Sequence, residues 1–448
     1  MEKKILGGIL GLCVADSVGV PYEFQSREAL RYSPATDMRG YGTYNQPAGT
    51  WSDDTSMTLC LLDSLLNGLD YSDIMRRFRS WLEEAEYTPY NKVFDVGRTS
   101  REAIFRFAKG VPPLQCGGSS ERDNGNGALM RVLPLIFYIH SRFGDDFFRH
   151  EEAVNIIHNV AALTHAHKRS QIACGVYLSV AEMLMGGMKL SSAVELGVYS
   201  AWKYYSKNAE YAEELKHYKR IRSPKFAAIP EKQIRSSGYV VDTLEAALWC
   251  LLNTDSYKEC VLKAVNLGED TDTTAAVAGG LAGMYYGYGA IPVSWRENIA
   301  RADYIMDLCS AFFYSLTKMG FEKIRPYLSY FEQVDSDIAC GWEPGRRQED
   351  GTLVFGYPVY EDKLCQFIDD CSNSGLMDYA YVSTIQEYGY EMNNDLAQHI
   401  GTADLKLTKA ILTCYIRQER FYDGLWGIAT REGTFLALLK RLDTLLNH

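Results

Sequence analysis

Two short clusters of acids and hydroxyls, Trp51-Ser52-Asp53-Asp54-Thr55 and Gly268-Glu269-Asp270-Thr271-Asp272-Thr273, lie far apart in the chain. Each offers at least two carboxylates and a hydroxyl within a few residues, the all-oxygen donor set that hard divalent cations take. Each is followed at once by an apolar run of helical spacing. After the first come Met57, Leu61 and Leu65; after the second come Ala276, Gly279, Gly280 and Gly283, a small-residue face suited to close helix packing. The acids therefore stand at helix starts, where the macrodipole favours ionised carboxylate. Two readings fit: a metal site split across the sequence, or two ordinary N-caps. A cap needs only one Asp, Ser or Thr, and the surplus points to the metal reading.

The elements that must position these acids are helices. Helical spacing dominates to about residue 320, so an all-α first domain is expected. It predicts helices over Ile5–Ala15, Thr55–Asn67, Tyr71–Glu84, Glu151–Leu163, Ser170–Met185, Leu190–Ser206, Thr243–Leu252, Thr273–Tyr286 and Trp295–Tyr314. Asp242 with Glu245 has the spacing of a capping box. The turn-rich segment from Lys109 to Gly127 is a second candidate for ligand contact, since loops of that length are more often functional than accidental. Between about Pro326 and Gly351 the helical pattern gives way to Asp335, Asp337, Pro344, Gly345, Arg346 and Arg347. A boundary is expected there, separating a domain over 1–325 from a small, mainly helical α+β module over 350–448. The module should hold a hairpin over Thr352–Tyr360 and helices near Lys363–Cys371, Leu405–Arg417 and Gly433–Leu446.

Composition narrows the classes. The 448 residues carry 46 basic against 57 acidic side chains, a net charge of −11, with no basic run to neutralise a nucleic-acid backbone. Eleven cysteines without a CxxC pair fit a reducing compartment and argue against thiolate zinc. Met1-Glu2-Lys3-Lys4 followed by the apolar Ile5–Ala15 imitates a secretory signal. Asp16 argues against that reading, and no other stretch has the apolar length of a membrane span. A soluble cytoplasmic protein with no membrane partner is expected.

Further patterns surround the two clusters. They are Gly8, Gly11 and Ala15-Asp16-Ser17-Val18-Gly19 followed by Glu23; Gly125-Asn126-Gly127-Ala128-Leu129-Met130-Arg131; and Leu163-Thr164-His165. With Ser52-Asp53-Asp54-Thr55 and Gly268 to Thr273, they stand in the order in which similar patterns occur in the ADP-ribosylglycohydrolase family, and the chain resembles that family over roughly residues 3 to 315. Ala15 replaces the family's usual Gly, and Ser52 replaces its usual Thr while keeping the hydroxyl. The tail, through Ile416-Arg417-Gln418-Glu419-Arg420-Phe421-Tyr422-Asp423-Gly424, resembles a small uncharacterised module and implies no chemistry. Arg417, Glu419 and Arg420 read most simply as a solvated helix end.

The resemblance implies a compact orthogonal helical bundle in which Ser52, Asp53, Asp54, Asp270, Asp272 and Thr273 hold two Mg²⁺ or Mn²⁺ ions. It implies hydrolysis of the glycosidic bond between ADP-ribose and an acceptor on a modified protein or a small ADP-ribose derivative, with Glu23, Asp54 or Asp272 moving the proton. The glycines of Gly117-Gly118-Ser119 and Gly125-Asn126-Gly127 would bring backbone N–H groups to the pyrophosphate, and His165 would belong to the ligand pocket. Glu121 and Asp123 lie where arginine-directed members of the family carry acids, so an arginine acceptor is expected with Asp123 holding its guanidinium. A relative that binds ADP-ribose without turnover, and a hydrolase of another ADP-ribose derivative, are the alternatives. Neither oligomeric state nor physiological target is legible.

Overall fold

Helix starts and stops follow local chemistry closely. The helix Tyr71–Glu84 begins where the Asp70 side chain accepts the N–H groups of Ser72 and Asp73, and ends where Ala85 turns left-handed. The structure, a computed structural model, describes residues 1–334, 339–347, 352–392 and 394–447. It is mostly helical. Asp335, Asp337 and Gly351, part of the expected boundary, lie outside the described residues. The chain divides into two units: Met1–His140 with Asp145–Phe313, and Ser141–Gly144 with the chain from Tyr314 onward.

In the first unit the expected helices form, several of them longer than their apolar stripe. The first runs Glu2–Gly19, is buried from Gly7 to its end, and packs against Thr271–Tyr286. It is long and apolar enough to cross a membrane, but here its apolar surface is covered by protein. The contact is backbone to backbone. A Cβ on Gly283 would lie 2.0 Å from the Gly7 carbonyl oxygen, and one on Gly11 would lie 2.7 Å from that of Gly279. Small residues at helical spacing on both partners permit this approach. It carries the end of the first helix to the start of the other, so that a Cβ on Gly19 would lie 2.4 Å from the Asp272 Cα.

Two local expectations are corrected. The helix Val240–Leu252 starts at Tyr239 with no side-chain cap; Asp242 accepts instead from the Ser237 hydroxyl at 2.7 Å, and Glu245 pairs with Arg220. The helix expected over Trp295–Tyr314 is two, Val293–Asn298 and Ala302–Ile324, because Ile299 is extended and Arg301 takes φ 52. Helices Arg98–Ala108 and Tyr257–Val265 were not expected, being short and rich in charge.

The second unit has its own core, in which Phe331, Phe367 and Phe435 meet at centroid distances of 4.8 and 5.2 Å. Its expected helices form as Asp362–Ser372, Leu405–Gln418 and Thr434–Asn447. The expected hairpin over Thr352–Tyr360 does not. Strands β1 (Cys340–Glu343), β2 (Arg346–Arg347), β3 (Leu353–Val354) and β4 (Tyr357–Tyr360) pair antiparallel as β1 with β4 and β2 with β3, in register Cys340 to Tyr360 and Arg346 to Val354. Phe355-Gly356 therefore joins two strands running the same way and does not reverse the chain.

Candidate metal and ligand site

Asp16, Asp54 and Asp272 come from three helices that meet in the first unit, and one carboxylate oxygen from each lies within 4.8 Å of the others. Glu23, Asp95 and Asp272 form a second such group. The two acidic clusters are thus adjacent in space, and Asp272 belongs to both groups.

The alternative of ordinary caps can be examined atom by atom. Ser52 does cap the helix Asp53–Leu65, accepting the Asp54 N–H. Asp270, at the cap position of Thr271–Tyr286, makes no capping bond. Its Oδ2 accepts from the Asn126 amide at 2.8 Å, and its Oδ1 has no partner. Asp54 Oδ1, Asp272 Oδ2 and Glu23 Oε2 are likewise buried without partners. Since buried polar atoms are nearly always paired, several orphaned carboxylate oxygens in one place are a donor set able to hold a cation. Hard, all-oxygen donors fit Mg²⁺ or Mn²⁺.

Electrostatics agree with that reading. Burial, followed by mutual repulsion, pushes the carboxyls of Asp53, Asp54 and Asp272 well above the usual range. Burial and then Asp95 push Glu23 up to about 9. A bound cation would oppose every one of these shifts, because it favours the charged form. Asp16 plays a different part. Its oxygens accept from the Ser52 N–H, the Ser52 hydroxyl at 2.9 Å, the Thr55 N–H and the Thr55 hydroxyl at 2.6 Å, so it braces the start of the Asp53–Leu65 helix.

A cavity of about 190 Å³ opens beside the acids, and Glu23, Asp53, Asp95, Asp270 and Thr273 are part of its lining. Gly97 to Ser100, Gly125 to Gly127, Met130, His165 and Gly238 complete it. His165 is 2% exposed, its Nδ1 lies 2.8 Å from the Thr164 hydroxyl, and burial lowers its pKa to about 3, so the ring is neutral. Buried Arg131 holds this wall by donating to the Gly127 carbonyl, the Val160 carbonyl and the Thr164 hydroxyl. His167 caps the helix Lys168–Met185, accepting the Arg169 N–H, and its Nε2 lies 3.7 Å from Glu121 Oε2.

Not every expected site residue reaches the cavity. Ser52, Asp54 and Asp272 lie behind it in the acidic cluster, whereas Gly117, Gly118, Ser119 and Asp123 do not line it at all. Gly117 and Gly118 are spent on packing. A Cβ on Gly117 would lie 2.0 Å from the Ala162 carbonyl oxygen, one on Gly118 would lie 2.6 Å from the Asp123 carboxyl carbon, and the Gly118 N–H donates to Thr164. Asp123 closes a capping box with Ser120 and accepts from Arg98 at 3.0 Å, while Glu121 accepts from Arg169 at 2.7 Å. Both acids already hold an internal guanidinium.

Sequence reasoning missed Asp95, Gly97 to Ser100 and Gly238. Asp95 has φ 50, unusual for a residue with a side chain, but nothing in its sequence neighbourhood marks it. The brace Arg27 was missed too; it donates to the carbonyls of Leu267, Glu231 and Ile234 and fixes the approach to the second acidic cluster.

Known proteins are similar to this chain over its first unit and beyond. Residues 1–320 match the family model described as ADP-ribosylglycohydrolase, and residues 316–448 match a family of unknown function, DUF6508. The chain is 30% identical to the ADP-ribosylarginine hydrolase Tri1 of Serratia proteamaculans, over 71% of its own length and 81% of that protein. It is 33% identical to the ADP-ribosyl-[dinitrogen reductase] glycohydrolase of Rhodospirillum rubrum, over 67% and 91%. A solved structure titled ADP-ribosylglycohydrolase-related protein complex aligns with TM-score 0.58 and 29% identity, covering 70% of this chain and 98% of that one.

Proposed function

Because the chain belongs to the ADP-ribosylglycohydrolase family, we propose that its acidic site hydrolyses the bond between ADP-ribose and an arginine side chain of a modified protein. The observation that carries this reading is the set of orphaned carboxylate oxygens on Glu23, Asp54, Asp270 and Asp272 beside an open cavity. Arginine is favoured as acceptor because four acids, Glu23, Asp53, Asp95 and Asp270, line the cavity against the one guanidinium of Arg98, and because the Tri1 relatives are named for arginine. Glu23 and Asp95 take the role that the sequence suggested for Asp123, whose oxygens serve Ser120 and Arg98.

Two Mg²⁺ or Mn²⁺ ions would be held by Ser52, Asp53, Asp54, Asp270, Asp272 and Thr273, and would supply Lewis acidity toward the oxygens of the ribose. The chain's own residues do the rest. Gly125 to Gly127 and the neutral His165 receive the ADP-ribose, the glycines offering unobstructed N–H groups. The carboxylates stabilise the positive charge that develops on the anomeric carbon as its bond to nitrogen stretches. Glu23 or Asp95 takes a proton from the attacking water and returns it to the departing guanidine, so arginine leaves as guanidinium and ADP-ribose is free. Proton shuttling of this kind contributes roughly 10²–10⁴-fold.

The test is release of free ADP-ribose from an ADP-ribosyl-arginine protein, with Mg²⁺ or Mn²⁺ and with EDTA, comparing wild type with Asp53→Ala/Asp54→Ala. Release that needs the cation and disappears in the double variant supports the proposal. Tight ADP-ribose binding without release from arginine-linked, serine-linked or small substrates would refute it.

A further inference from the structure

Two of the four acids that line the cavity have an aromatic neighbour in sequence: Glu23-Phe24 and Phe94-Asp95. Phe24 adopts φ 63, a conformation a bulky L-residue rarely takes. It is pinned there by two backbone bonds to the second acidic loop, Phe24 N–H to the Glu269 carbonyl at 2.7 Å and Glu269 N–H to the Gln25 carbonyl at 2.8 Å. Glu269 has φ 62 and Asp95 has φ 50, so backbone strain is concentrated where acid and aromatic meet.

The strain places a large apolar ring in water. Phe24 is 71% exposed although Glu23 beside it is 5% exposed. The ring does not stand alone: its centroid is 6.4 Å from that of Tyr44, which is 4.9 Å from that of Phe94. Burial and then the nearby Asp95 and Glu23 carboxylates raise the pKa of the Tyr44 hydroxyl, and Thr43 donates to the Glu23 carbonyl at 2.7 Å. The result is a strip of three rings next to two of the carboxylates that line the cavity.

We propose that the Phe24–Tyr44–Phe94 strip is the acceptor subsite, stacking on the planar guanidinium of the arginine to which ADP-ribose is linked. This rests on the arginine reading above. A planar cation gains twice here, from the ring faces and from the adjacent carboxylates, whereas a serine-linked acceptor brings neither a plane nor a charge. An adenine would also stack, but the Glu23 and Asp95 carboxylates beside the rings would repel its pyrophosphate.

The experiment compares the full chain with Phe24→Leu, which keeps the strained backbone, Phe24→Gly, which relieves it, and Phe24→Tyr, which keeps the ring. With Mg²⁺ present, KM and kcat are measured on an ADP-ribosyl-arginine peptide, together with inhibition by free ADP-ribose. The subsite predicts that Leu and Gly both raise KM by roughly threefold to tenfold, leave kcat and the ADP-ribose inhibition constant little changed, and that Tyr behaves as wild type. An unchanged KM, or an equal rise in the ADP-ribose inhibition constant, would overturn it, the latter by assigning the strip to adenine. A calorimetric titration separates this from the activity itself. N-acetyl-arginine amide should bind the ADP-ribose-loaded protein, bind it more weakly by a similar factor in Phe24→Leu, and outbind the neutral citrulline analogue. If wild type releases no ADP-ribose but this pattern holds, the hydrolase reading fails and the subsite stands; if arginine and citrulline bind alike, the subsite fails whatever the turnover.

Discussion

In sequence, Glu419 of the second unit resembles the acids of the first, each being set among polar residues at a helix end, yet their surroundings are opposite. Glu419 accepts from the N–H groups of Gly424 and Trp426, both at 2.8 Å, and from the Tyr360 hydroxyl. It ties strand β4 to the turn that Gly424 makes at φ 91, a brace with its oxygens spoken for rather than the solvated end that the sequence suggested. Asp54, Asp270, Asp272 and Glu23 each keep a buried oxygen with nothing to bind. The difference teaches that a functional carboxylate is recognised by an unmet demand for positive charge, and a structural one by donors that meet it.

That contrast can be broken most directly at Asp54 and Asp272. Asp54→Asn or Asp272→Asn should lower ADP-ribose release roughly thousandfold, about 4 kcal/mol of transition-state stabilisation. The same variants should melt no lower than wild type in EDTA, because each removes a buried carboxyl whose charged form burial and its acidic neighbours disfavour. Loss of activity and of cation-free stability together would make the cluster a brace like Glu419.

Adding the cation should show the reverse sign. Mg²⁺ at a hundredfold above its Kd should stabilise the first unit by about 2.7 kcal/mol, seen as a rise in its melting temperature. Asp54→Asn should abolish the rise, whereas Glu419→Ala should leave it intact.

Glu419→Ala sharpens the other side. Two backbone N–H groups and a tyrosine hydroxyl lose their acceptor, which should cost about 2 kcal/mol of second-unit stability in denaturant unfolding. Release of ADP-ribose at temperatures where that unit stays folded should be unaffected.

The smallest effect belongs to a third kind of carboxylate. Glu182 is buried, accepts the Phe147 N–H at 3.1 Å, and burial pushes its pKa up to about 7. The native state therefore holds this proton more tightly than the unfolded chain does. Its contribution to stability is full below the unfolded value near 4.5 and is lost as pH rises to about 7. Glu182→Gln should flatten that slope by on the order of 1–2 kcal/mol across the interval, measured by unfolding at pH 5 and pH 8. An unchanged slope would mean that the Phe147 N–H satisfies the charged form as fully as the donors around Glu419 do.

Much of the site was legible. The acid pairs, the hydroxyls at their helix starts and the small-residue faces are local features, and they were enough to place Asp53, Asp54, Asp270 and Asp272 together. The expectations that depended on what a loop faces fared differently. Gly117 and Gly118 resembled a phosphate cradle because glycine permits close approach, but what approaches them is the chain itself at Ala162 and the Asp123 side chain. Asp95 left no mark in the sequence, because a lone acid in a loop gains meaning only from its neighbours in space. The hairpin of the second unit was placed too late in the chain: β1 and β2 pair with β4 and β3 in one register, from Cys340 with Tyr360 to Arg347 with Leu353.

By itself the sequence determined most of the longer helices and which residues carry charge at their ends, since periodicity and capping act within a few residues. Only the tertiary structure decided which of those charges remain unanswered. Asp16 and Asp123 found donors in Ser52, Thr55, Ser120 and Arg98, while Asp54, Asp270 and Asp272 were brought to one point, each with an oxygen left unmatched. The cost of a buried carboxylate depends on every atom around it, and that sum exists only once the helices have packed.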